Sequence, residues 1–101
     1  MRVLVMFDLP VTTAKGRTEY ARFRKFLIKS GFLMLQESVY CKIAQNQTMA
    51  DGIVESVKKN KPPEGLVQIL KITEKQFSKM EYVVGEYSSD VLNTDERLVI
   101  L

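Results

Sequence analysis

Met1-Arg2-Val3-Leu4-Val5-Met6-Phe7-Asp8 opens the chain, and Leu9-Pro10 follows at once. An apolar run this short, closed by a proline, predicts a buried central strand over about Arg2–Phe7 rather than a helix. Pro10 has no backbone N–H to give to a ladder, so the strand must stop near it. Side chains alternate along a strand. Val3, Val5 and Phe7 therefore point one way, and Leu4 and Met6 the other. Both faces are apolar, so both need a cover. Asp8 arrives where the strand ends, at the rim of a sheet. A carboxylate held there can bind a metal or orient a water. The structural alternative is that Asp8 caps the turn or helix that follows.

The chain has 101 residues, enough for one core and one domain. Its apolar share of 46% excludes a disordered class. A net charge of +3 permits a nucleic-acid partner without requiring one. The one cysteine, Cys41, excludes an internal disulfide. Its apolar surroundings predict a small core residue in a reducing compartment. There is no histidine and no CxxC, which excludes histidine general bases and the usual zinc sites. A metal here would be hard and oxygen-bound, Mg2+ or Mn2+. No apolar run nears the roughly 20 residues of a membrane span. The N-terminus carries no signal-peptide pattern. A cytoplasmic protein is expected.

Helical spacing predicts a first helix from Thr13 or Ala14 to Ser30, stopped by Gly31. Tyr20, Phe23, Phe26 and Leu27 share one face. Lys15, Arg22, Lys25 and Lys29 gather on another, and Arg17 and Arg24 flank the apolar face on its far side. Glu19 is the one acid against these six cations. The pattern fits a phosphate-binding face and equally a solvated helix. Gly16 weakens the first turn and predicts a later start. Phe32–Leu35 and Ser38–Ile43 read as two short strands, with one bent strand as the competing reading. Asn46 caps a second helix over about Gln47–Asn60. Its stripe is Met49, Ala50, Ile53, Val54 and Val57, which places Met49 in the core. Lys58, Lys59 and Lys61 suit that helix's negative end.

Pro62-Pro63-Glu64-Gly65 is a loop, and Leu66–Ile72 is a strand. Thr73–Gln76 matches a capping box. Met80–Val84 is expected to be a short strand, and Leu98–Leu101 a terminal apolar one. The order β-α-β-β-α-β, with extra C-terminal strands, is the ferredoxin-like α+β arrangement. Residues 1–101 make one such domain, with 86–101 an extension that reaches a partner subunit. In this fold both helices cover the same sheet face. The other face is apolar and needs a lid, and a second copy of the chain is the simplest one. A homodimer packed through its sheets is therefore expected. Gln36 and Ser38 are assigned to hydrogen bonding in the sheet or that interface. Tyr40 is assigned to the core or the interface.

The set of motifs resembles a known family. Phe7-Asp8 ends the first strand, and Ser30-Gly31-Phe32 ends an Arg-rich helix. Gln36-Glu37-Ser38-Val39-Tyr40 precedes a second helix, and Tyr82-Val83-Val84-Gly85 comes late. Together these resemble the small dimeric CRISPR-associated Cas2 family. Leu9-Pro10 and the Leu-Val-Ile-Leu ending resemble the branch found with single-protein RNA-guided effectors. The resemblance implies an adaptation subunit held between dimers of the CRISPR integrase during spacer capture. It also implies an Mg2+-dependent endonuclease acting on RNA or double-stranded DNA. Asp8 would be its catalytic and metal-binding residue. Many members carry a second acidic or polar residue shortly after that aspartate, whereas Pro10-Val11-Thr12 supplies no carboxylate here. Arg17, Arg22, Arg24, Lys25 and Lys29 are the candidate phosphate contacts. The alternative function is a non-catalytic DNA-binding scaffold. A ligand-binding regulatory domain ranks last, because no Gly-rich phosphate loop is present.

Overall fold

The computed structural model describes residues 1–85. Its elements are β1 (Arg2–Asp8), α1 (Ala14–Lys29), β2 (Leu33–Gln36), β3 (Val39–Ile43), α2 (Gln47–Lys59), β4 (Leu66–Ile72) and a short α3 (Glu74–Ser78). One four-stranded sheet has the order β2-β3-β1-β4. All neighbouring pairs are antiparallel, so β1 is central, with β3 on one side and β4 on the other. This is the ferredoxin-like order expected from the sequence. Residues 37 and 38 reverse the chain between β2 and β3, which excludes a single bent strand. The β2–β3 ladder shifts register between Met34 and Gln36.

Both helices form from local signals. Thr13 caps α1 by accepting from the Gly16 amide at 3.0 Å. The helix thus starts at Ala14, ahead of Gly16, contrary to the later start that this glycine predicts. The reason is contact, because a Cβ at Gly16 would lie 2.3 Å from the Pro10 carbonyl oxygen. Gly16 is the residue that lets α1 press on the loop after β1. Gly31 ends the helix at a φ of 94°. Asn46 caps α2 through the Met49 amide, and Thr73 with Gln76 forms the complete capping box of α3.

The helix-covered face holds the core. Val3, Val5 and Phe7 pack there with Phe23 and Leu27 of α1 and with Ala50 and Val57 of α2. Phe7 is its centre. It meets Phe23 edge-on at 5.2 Å between ring centroids and stacks on Tyr40 at 5.7 Å. Such pairs add about 0.5–1.5 kcal/mol each beyond area burial. Met49 corrects the sequence reading. It is half exposed, because Ala50 and Val57 turn to the sheet while Met49 stays at the α1-facing edge of α2. Met80–Val84 forms no strand, and Val83 is 93% exposed. A strand needs a neighbour to pair with, and none is present for this segment among the described residues. The expected Leu98–Leu101 strand and the 86–101 extension lie outside the described residues.

The other face is open. Cross-strand partners share a face, so Leu4 and Met6 of β1 lie with Leu33, Val39, Cys41 and Ile43 on one side. Leu66, Leu70 and Ile72 lie on the other. Leu33, Ile43, Leu66 and Leu70 are each roughly half exposed. Cys41 is buried as expected, but within this second face rather than the helix-side core. Burial pushes its thiol pKa up, and the Arg2 guanidinium opposes that shift. At one end of the face Arg2 grips Glu74 at 2.9 Å and lies over the Phe77 ring.

Tyr40 is fully buried, and its hydroxyl finds no hydrogen-bond partner among the described residues. A buried unpaired hydroxyl costs about 1–3 kcal/mol. Tyr40→Phe should therefore leave stability unchanged or raise it by about 1 kcal/mol in urea unfolding. A loss above about 1 kcal/mol would reveal a partner for that hydroxyl.

Candidate active site and nucleic-acid interface

Asp8 is the last residue of β1, opposite Leu66 of β4. Alternation along β1 puts its side chain on the open face, beyond Leu4 and Met6. The carboxylate is exposed and makes no hydrogen bond among the described residues. The backbone around it is fixed from three sides. Leu9 is buried in the core. Gly16 packs on the Pro10 carbonyl as described. Gly65, at a φ of 101°, passes under the same bend, where a Cβ would lie 2.9 Å from the Asp8 carbonyl oxygen and 2.7 Å from Leu9 Cδ2. The sequence marks Gly65 only as part of a loop. Its role follows from a close approach that pattern alone does not show.

Among the described residues no three of His, Cys, Asp and Glu group closely enough to hold an ion. Mg2+ uses one or two carboxylates and keeps several waters. One chain supplies one of these, and a second copy lying over the open face would supply another. The donor set is chemically suitable for such an ion only as a pair.

Beside Asp8 lies a hollow of about 310 Å³ between the β1–α1 loop and the α2–β4 loop. Leu9, Pro10, Pro62 and Pro63 give it apolar walls, with Lys15, Glu19 and Glu64 also lining it.

The five candidate phosphate contacts divide into two groups. Arg17 Nη1 donates to the Val11 carbonyl at 3.2 Å and so ties down the loop after Asp8. Arg22 donates to Glu19 at 2.8 Å and reaches the carbonyls of Asn60 and Lys61 at 3.4 Å. It bridges α1 to the C-terminal end of α2. Arg24, Lys25 and Lys29 are exposed and make no side-chain hydrogen bond or ion pair among the described residues. Elsewhere Lys71 holds Asp51 at 2.6 Å, and this contact, with Gln47, lowers the Asp51 pKa.

The match to known proteins decides the family. The family model described as CRISPR associated protein Cas2 covers residues 1–80. The chain belongs to the Cas2 family. It is 60% identical over 101 residues to a CRISPR-associated endoribonuclease Cas2 of Treponema denticola, spanning 100% of both. It is 44% identical to the protein of that name from Streptococcus mutans, spanning 100% of this chain and 93% of the other. The crystal structure of Streptococcus pyogenes Cas2 at pH 6.5 superposes with a TM-score of 0.61 at 16% identity. It covers 83% of this chain and 100% of that one, which shows a shared fold. No described helix is long and apolar enough to cross a membrane.

The two groups of cations predict different mutants. Arg22→Ala should cost about 1 kcal/mol in thermal unfolding, because it removes donors from helix-end carbonyls. Lys25→Ala should fall within about 0.5 kcal/mol of wild type. Equal losses would show that Arg22 does not join the helices.

Proposed function

We propose that two copies of this chain form a metal-dependent endonuclease that hydrolyses phosphodiester bonds, and that the same dimer is a structural partner of the CRISPR integrase in spacer acquisition. On this reading it works in the cytoplasm. One observation carries the proposal. Asp8 stands on the open face at the end of β1, on a bend braced by Gly16 and Gly65 and beside apolar residues that need a cover. A second copy over that face buries Met6, Leu66 and Leu70, and it can bring the two Asp8 side chains to one place. The Tyr82-Val83-Val84 segment is itself exposed apolar surface.

A bound Mg2+ or Mn2+ would supply charge to polarise a phosphoryl oxygen and to acidify a coordinated water. The paired Asp8 carboxylates would hold that ion and orient the attacking water by accepting a hydrogen bond from it. The water would add to phosphorus as the P–O ester bond breaks, its proton passing through solvent to the leaving oxygen. Histidine is absent from the chain, so no imidazole takes the proton. Arg24, Lys25 and Lys29 give the backbone contacts that position a polyanion without reading its bases. RNA and double-stranded DNA are both in range of this chemistry. The name endoribonuclease carried by the T. denticola and S. mutans relatives puts RNA first.

The second reading is a scaffold that binds nucleic acid and integrase without cutting. What favours it is that, among the described residues, no three of His, Cys, Asp and Glu group closely enough to hold an ion.

Cleavage of labelled RNA and duplex DNA by wild type and Asp8→Ala, each with Mg2+ or with chelator, separates the two. The endonuclease reading expects cleavage that chelator stops and Asp8→Ala lowers by roughly 100-fold or more. Asp8 is exposed, so the variant should keep its stability within about 0.5 kcal/mol. Unchanged cleavage in Asp8→Ala would remove Asp8 from the chemistry. Absence of cleavage in pure wild type would leave the scaffold.

A further inference from the structure

We infer that the seam between α1 and α2 is a track for a nucleic-acid phosphate backbone, with Lys59 of α2 as a contact that α1 alone does not provide. The inference rests on the nucleic-acid reading above and says where on the molecule the polyanion lies.

Arg22 sets the geometry. Its reach to the Asn60 and Lys61 carbonyls puts the end of α2 beside the middle of α1. At 100° per residue, Lys15, Arg22 and Lys29 recur every seven residues along the α2-facing edge of α1, with Lys25 above them. Fourteen residues of helix separate Lys15 from Lys29, about 21 Å at 1.5 Å per residue. That is the axial rise of roughly six nucleotides in one strand. A row this long suits an extended polyanion better than a compact anion.

The facing side of α2 is built from Gly52, Ser56 and Lys59. Gly52 and Ser56, with Phe26 of α1 and Ser30 just past its end, line a hollow of about 240 Å³ in the seam. Gly52 lies inside a helix, where glycine is a poor choice. A Cβ added there would meet nothing within 4 Å, so the fold itself has no steric need for it. Close approach of an outside group is one use for a bare backbone. Most acids along the seam are already paired, Glu64 beside the Lys15 end being the exception among the described residues. Glu19 is bound to Arg22, Glu55 to Lys58 and Asp51 to Lys71. Lys61 lies off the track, since its side chain borders the groove between α2 and β4.

The test is equilibrium binding of a labelled duplex and a matched RNA between 50 and 200 mM salt. Each lost phosphate contact lowers the salt slope by about 0.7–0.9. Lys59→Gln should lower it by about one contact, whereas Lys75→Gln on α3, away from the seam, should leave it unchanged. Gly52→Leu should raise the melting temperature by about 4–8 °C and yet weaken binding several-fold. Equal slopes for Lys59→Gln and Lys75→Gln overturn the inference, as does wild-type binding in Gly52→Leu. Polyglutamate competing as well as the duplex would make the seam a site for acidic protein and also overturn it. If Lys25→Gln/Lys29→Gln weakens binding while the α2 variants do not, only the seam fails. If wild type shows no salt-dependent binding, the nucleic-acid reading fails with it.

Discussion

β1 is apolar on both sides, and a strand of that kind must lie between two covers. Val3, Val5 and Phe7 find theirs in α1 and α2. Leu4 and Met6 look out with Leu33, Ile43, Leu66 and Leu70 onto a face that nothing in the described chain closes. Four large, half-exposed side chains on one sheet form a contiguous apolar patch, and such patches mark contact surfaces. Two features depend on this asymmetry. The helices can be basic outside because the apolar demand is met beneath them. Asp8, on the same strand, inherits the open face and stands wherever the cover of that face brings it.

Rigidity at Asp8 comes from the end of the β1–β4 ladder, from the Arg17 bond to the Val11 carbonyl and from two close-packed glycines. Gly16 and Gly65 let two other segments press on the bend that follows the strand. The carboxylate itself remains exposed. A support that is tight behind and open in front suits a group that meets something from outside, whether an ion, a water or a second chain.

Much of the fold was legible because its signals are local. The span of β4, the Thr13 and Asn46 caps, the Gly31 stop and the Thr73–Gln76 box each need only a few neighbouring residues. The antiparallel ferredoxin-like order followed from element succession. What failed depended on tertiary placement. Met49 fits the apolar stripe of α2, yet it lies at the α1-facing edge of that stripe and stays half exposed. Met80–Val84 has strand composition, but composition does not supply a partner strand. Gly16 reads as a weakness until the Pro10 carbonyl is beside it. Arg17 and Arg22 read as members of one basic face. The structure uses them on carbonyls, at Val11 and at Asn60 and Lys61, and this distinction is invisible without the loop and helix ends in place. Asp8 was legible as a position from strand end and proline. That it joins no cluster of three acids or other metal ligands among the described residues was only partly so, through the empty Pro10-Val11-Thr12.

The central claim is that a second copy covers the open sheet face and so brings two Asp8 side chains together. Sedimentation equilibrium at micromolar concentration tests it directly, on wild type and on Leu70→Glu, which places a charge on the half-exposed centre of that face. The account predicts twice the 11.6 kDa chain mass for wild type and a shift towards the single-chain mass for the variant. A wild-type monomer, or a variant that dimerises as well as wild type, would contradict it.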